Sequence, residues 1–201
     1  MADPMPIYGL DLITDADGPL IEPDRHQITQ IGLSRRAEDE LYEGGEPELL
    51  ELLDRRLKLL PRGVLATWHG SVLAVPLIAQ RAERWKLSLG LTLWVDRRAA
   101  PLSPVAGVDT AYCASWHDHA LLDLRRVYET SEPKRWSIRG RSRPDPEDLI
   151  PTPDELTQRD PLKDARLARQ LAERRWSQAK RCVDTADPRN SDKKSGQTVT
   201  R

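Results

Sequence analysis

Residues 7–34 read IYGLDLITDADGPLIEPDRHQITQIGLS, and the two ends of this stretch carry the same pattern. Ile7–Leu12 (IYGLDL) and Ile28–Ser34 (ITQIGLS) are short and rich in apolar and β-branched residues. A segment of Gly, Pro and Asp separates them, so they read as two neighbouring, paired strands. Working outward, Glu40–Tyr42 precedes Gly44-Gly45 and reads as a third, edge strand closed by a glycine turn. From Pro47 to Leu60, Leu49, Leu50, Leu53, Leu57 and Leu60 recur mostly at steps of three and four. That spacing predicts a helix with one core face, stopped by Pro61.

The next run, GVLATW, reads as a buried strand, followed by a helix N-capped by Ser71 and continuing through Trp85, with Pro76 in its first turns. LSLGLTLWV and AYCASW read as two more strands, and ALLDLRRVY as a helix on the spacing of Leu121, Leu124 and Tyr128. Ser131–Pro153 is rich in Pro, Arg, Ser and Asp and reads as irregular. A last helix carries the apolar stripe Leu162, Ala165, Ala168, Leu171, Ala172 and Trp176, with its arginines on the wet side. Residues 1–182 are thus expected to form one domain. Residues 183–201, too polar to offset their ordering entropy, are expected to be a disordered tail. Strands first, then strands interleaved with helices, indicate an α/β domain whose mixed β-sheet is flanked by α-helices.

Composition narrows the function classes. Hydrophobic residues at 38% beside 31% charged ones describe an ordinary globular chain. The 31 Lys and Arg balance 32 Asp and Glu to a formal charge of -1, so no global field pulls the chain onto nucleic acid or anionic lipid. Any such contact must be local. No stretch approaches the roughly 18–20 apolar residues that span a bilayer, and the first ten residues lack a signal-peptide pattern, so the default expectation is cytoplasmic and without a membrane partner. Cys113 and Cys182 lack metal-ligand spacing and read as free thiols.

Three segments together resemble the DnaQ-like, or DEDD, exonucleases. YGLDLITDADGPLIEPDRHQITQIGLS is similar to the family's first two strands and its Asp-x-Glu-Thr motif: Asp11 and Thr14 match, and Ile13 stands for the glutamate. TWHGSVLAVPLIAQRAE is similar to the Trp-Asn-Gly strand-to-helix segment, with His69 for Asn and Ala74 for Asp. RDPLKDARLARQLAERRW resembles the last helix: Asp164 matches its aspartate, while the positions of the assisting tyrosine or histidine hold Asp160 and Arg159.

The resemblance implies a ribonuclease H-like fold and a 3′-5′ exonuclease chemistry. In that chemistry four carboxylates hold two Mg²⁺ or Mn²⁺ ions that clamp the attacking and leaving oxygens of a phosphodiester. Two dications close together repel unless anionic oxygen ligands neutralise them. By the resemblance, Asp11 and Asp164 are the surviving metal ligands, and Thr14 and His69 would lie against nucleic acid. Asp160, one turn before Asp164, is placed to assist it. KRWSIRGRSR interleaves Lys134, Arg135, Arg139, Arg141 and Arg143 with Trp136, a composition suited to phosphate contacts and base stacking. His117-Asp118-His119 lacks a third ligand in spacing, and neighbours in a strand point to opposite faces, which argues against a metal.

The leading expectation is therefore a pseudoenzyme: an exonuclease-like module, impaired in hydrolysis, that binds single-stranded DNA or RNA. The alternatives are a weakly active metal-dependent exonuclease, and a structural subunit acting through a protein partner or as a homo-oligomer.

Overall fold

The computed structural model describes residues 5–18, 20–96, 103–131 and 160–186. Strands β1 (Ile7–Thr14) and β2 (Ile28–Ser34) pair antiparallel, and β2 pairs antiparallel with β3 (Asp39–Glu43). On its other side β1 runs parallel to β4 (Val64–Thr67), and β4 runs parallel to β7 (His119–Asp123). Two antiparallel strands, β6 (Ala111–Trp116) and β5 (Leu91–Asp96), complete a seven-stranded mixed sheet in the order β3-β2-β1-β4-β7-β6-β5. The architecture is α/β and ribonuclease H-like, as the sequence led one to expect.

The alternation of side chains along β1 divides the molecule into two cores. Leu10 and Leu12 join a cluster with Leu49, Leu53 and Leu57 of α1 (Glu46–Leu59) and Leu77 and Ile78 of α2 (Val75–Trp85). On the opposite face, Val64 and Ala66 of β4 and Leu122 of β7 pack with α3 (Leu124–Ser131), α4 (Pro161–Arg174) and α5 (Trp176–Ala186). Among the described residues no helix is long and apolar enough to cross a membrane.

Glu46 and Arg81, each 1% exposed at its side chain, form an ion pair inside the first core. Burial raises the Glu46 carboxyl, but hydrogen bonds from Arg81, the Ile28 N–H and Trp85 Nε1 outweigh it and hold the group below its ordinary 4.5. The pair ties the start of β2 to both helices of that face.

Three expectations need correction. ALLDLRRVY is not one helix: it splits into β7 and α3 at Asp123. A central strand buried on both faces is continuously apolar, and such a run cannot be told from helix by period alone. Trp176 opens a second helix rather than ending α4, and α5 continues past Cys182 to Ala186 with Val183 in the core. Ser71 does not cap α2. It lies within a π-helical turn, Gly70–Ala74, that precedes that helix. Of the expected tail, residues 187–201 lie outside the described residues, as does the expected irregular stretch from 132 on.

Candidate functional site

From β1 the chain continues to β2 and β3 on one side of the sheet, whereas from β4 it continues through α2 to β5, β6 and β7 on the other. The point between β1 and β4 is a topological switch, where open α/β sheets form a crevice beyond the carboxyl ends of their strands. Asp11 lies in β1, part-buried, opposite Gly32 of β2. It points to the α4 face, because Gly9 two residues earlier lies directly under that helix: a Cβ on Gly9 would stand 1.7 Å from the Ala165 carbonyl oxygen. A Cβ on Gly32 would stand 2.2 Å from the Pro161 oxygen. These two glycines form the bed that lets the first turn of α4 settle on the sheet. Asp164 belongs to that same turn. The register thus brings Asp11 and Asp164, far apart in sequence, to one face.

The remaining sequence candidates separate. Ile13 shares the Asp11 face and is part-buried. Thr14 ends β1 at a register shift, and its Oγ1 accepts from the Ala16 N–H at 3.4 Å. Ala74 is only 4% exposed and packs in the core of the other face, with Leu10 and Leu12. Asp160 is the N-cap of α4, its Oδ1 accepting from the N–H groups of Leu162 (3.0 Å) and Lys163 (3.2 Å). His69 takes a left-handed conformation, φ 61°, at the bend from β4 into the π-helical turn, and its imidazole stacks on Trp68. Lys134, Arg135, Trp136 and Arg139 lie outside the described residues. In the hairpin from β6 to β7, His117 Nε2 lies 3.0 Å from Asp54 Oδ1, and His119 Nε2 donates to the Leu57 carbonyl at 2.8 Å. Both imidazoles thus serve the far end of α1. Burial lowers the pKa of His119.

Asp123, which the sequence reading passed over, is 5% exposed at the carboxyl end of β7. Its Oδ2 accepts from the N–H (3.0 Å) and Oγ of Ser71, and its Oδ1 from the Arg125 N–H (3.0 Å). One carboxylate therefore clamps the π-helical turn and caps α3. The available signal was an Asp ahead of a helical run, an N-cap position.

A two-ion centre needs several anionic oxygens converging on one point. Ile13 offers none, Ala74 belongs to the other core, and Asp123 is occupied by three donors. Among the described residues no group of three or more His, Cys, Asp or Glu is placed to hold a metal ion.

No protein-family model and no curated protein matches the chain. A solved structure does. The family B DNA polymerase from the hyperthermophilic archaeon Pyrobaculum calidifontis superimposes with a TM-score of 0.58 at 16% identity. The match covers 85% of this chain and 24% of the polymerase, so the chain spans about a quarter of that protein's length. At this identity the likeness shows the fold.

Proposed function

We propose that the protein is a degenerate DnaQ-like exonuclease domain that binds single-stranded nucleic acid and performs little or no two-metal hydrolysis. The observation that supports this reading most is that Asp11 lies on the sheet face covered by α4, whose first turn carries Asp164, while Ala74 sits in the opposite core. Ile13 and Ala74 remove two oxygen ligands that two adjacent dications would require. The likeness to a polymerase, a protein that works on nucleic acid by name, agrees with a nucleic-acid role.

The test is anisotropy of a fluorescent single-stranded oligonucleotide over a salt series. Binding should weaken steeply as salt rises, because phosphate contacts release counterions. Absence of binding at low salt would remove this reading in favour of a protein-interaction role.

The retained pair Asp11 and Asp164 favours a second reading, a slow exonuclease using one Mg²⁺ or Mn²⁺. Under it, labelled DNA or RNA ends are degraded in Mn²⁺ and Asp11→Ala abolishes the activity. Under the leading reading the parent protein leaves those ends intact.

A further inference from the structure

The hairpin from β6 to β7 closes on the far half of α1 through one carboxylate and two carbonyls. Asp54 Oδ1 accepts from the Gly90 N–H at 2.8 Å and from Trp116 Nε1 at 2.7 Å, and His117 Nε2 lies 3.0 Å from the same oxygen and 3.1 Å from the Asp54 carbonyl. His117 stands in the turn with φ 50°, its N–H donating to the Gly90 oxygen at 2.8 Å. A side chain at Gly90 would displace the imidazole, since a Cβ there would stand 2.1 Å from its Cε1. Two residues on, His119 Nε2 reaches the Leu57 carbonyl at 2.8 Å. That carbonyl belongs to the last turn of α1 and also accepts from the Leu60 N–H at 3.2 Å, so His119 helps to satisfy a helix end.

A carbonyl oxygen only accepts, so His119 Nε2 carries the proton and Nδ1 is the lone-pair nitrogen of a neutral ring. Nδ1 is buried without a hydrogen-bond partner, and the residue is 1% exposed. Around the ring lie the Tyr8 ring of β1, edge-on at 5.3 Å with its hydroxyl donating to the Pro61 carbonyl, the Leu57 carbonyl of α1, and the charges of His117 and Asp118 in the hairpin. Burial first, and then His117, lower the His119 pKa below its ordinary 6.5, while the Leu57 carbonyl and Asp118 act the other way without offsetting them. A proton added at Nδ1 creates a buried donor that has no acceptor, and such a group is expensive to keep.

We infer that this joint is an acid-sensitive latch: with His119 neutral it fastens the β6–β7 hairpin to the end of α1, and a proton at His119 Nδ1 releases it. His117 works in the opposite sense. Protonated, it still faces the Asp54 carboxylate, and a charge-assisted bond is stronger than a neutral one. The closed joint binds the His119 proton less tightly than the open one does. The latch is therefore at full strength above about pH 6.5 and weakens as the pH falls below that value. β7 carries the latch at its first residue, His119, and the Asp123 clamp on the π-helical turn at its last, so the strand that holds that turn is the one the latch anchors.

Native-state amide exchange of the full chain at about pH 5 and about pH 7, corrected for intrinsic rates, tests this. The N–H groups of Leu60 and Ala120, which bond the Leu57 and Gly63 oxygens, should open about tenfold more at the lower pH. The Leu49 N–H, bonded to Gly45 in the first turn of α1, should change by less than about twofold. His119→Gln keeps a donor for the Leu57 carbonyl but takes up no proton, so its Leu60 and Ala120 amides should open equally at both pH values. His117→Gln should retain the acid response. Should His119→Gln fail to fold, the parent decides alone: its His119 ring resonances should titrate over the pH range in which Leu60 and Ala120 lose protection. The latch is overturned by a parent without the acid response, by a response that persists in His119→Gln or vanishes in His117→Gln, or by a His119 ring that gains its proton while both amides stay protected.

Discussion

The two faces of the sheet around β1, β4 and β7 are made of opposite materials. On the α1–α2 face, Ile21, Val105, Val108 and Ala74 close over the strand ends as continuous core. On the α4 face, Gly9 and Gly32 lie under the helix, Asp11 and Asp164 are part-buried, and Trp68 packs partly against the second core. Both faces belong to one sheet, and a one-residue step along β1, from Asp11 to Leu12, exchanges one environment for the other. The difference teaches that positions 13 and 74 are not equivalent. Ile13 lies part-buried on the α4 side, whereas Ala74 is part of a packed interior.

Introducing an acid at each position should expose that contrast most visibly. Ala74→Asp places a charge in a core with no partner and should cost about 3–5 kcal/mol. Ile13→Glu, on the part-buried polar side, should change stability by less than about 1 kcal/mol. Urea titrations of the two variants measure the contrast, and equal costs would show that the faces do not differ as described.

Next in size is the closed face's own charge pair. Glu46→Gln leaves the buried Arg81 guanidinium without its counter-charge and should cost about 3 kcal/mol at neutral pH. The folded-state carboxyl sits below its ordinary 4.5, so the pair's contribution is fully present above that value. It is lost as pH falls through the depressed folded-state value. The stability gap between parent and Glu46→Gln should therefore narrow on acidification, and a gap that stays constant down to pH 3 would count against the pair.

Asp123→Asn tests the link between the faces, because the carboxylate holds Ser71 on the π-helical turn and caps α3. The expected loss is about 2 kcal/mol, with faster amide exchange in 70–74 than in α1. Smallest is Asp160→Ala, the cap of α4, at about 1 kcal/mol. A thermal shift well beyond that, or a parallel loss of Mn²⁺ affinity, would mean that Asp160 does more than cap.

How much was readable depended on the surroundings of each element. β2 and β6 match their sequence limits, Ile28–Ser34 and Ala111–Trp116, because turns and bends bound them on both sides. α1 was legible from its leucine period. β7 was not, since Leu121 faces one core and Leu122 the other and no alternation survives. With β7 went Asp123, hidden in the middle of an apparent helix. Asp11 and Asp164 were singled out through family resemblance, which places residue types in order along a chain. The role of Asp160 needed the observed cap.

By itself the sequence determined most of the element types and the mixed α/β class, because periodicity and turn chemistry are local properties of a chain. The tertiary structure alone decided that Asp11 stands opposite Gly32, that Gly9 and Gly32 carry α4, and that Ala74 lies in the opposite core. Those are consequences of strand register and side-chain direction, which arise only when segments distant in sequence pair, and which a shift of one residue would reverse.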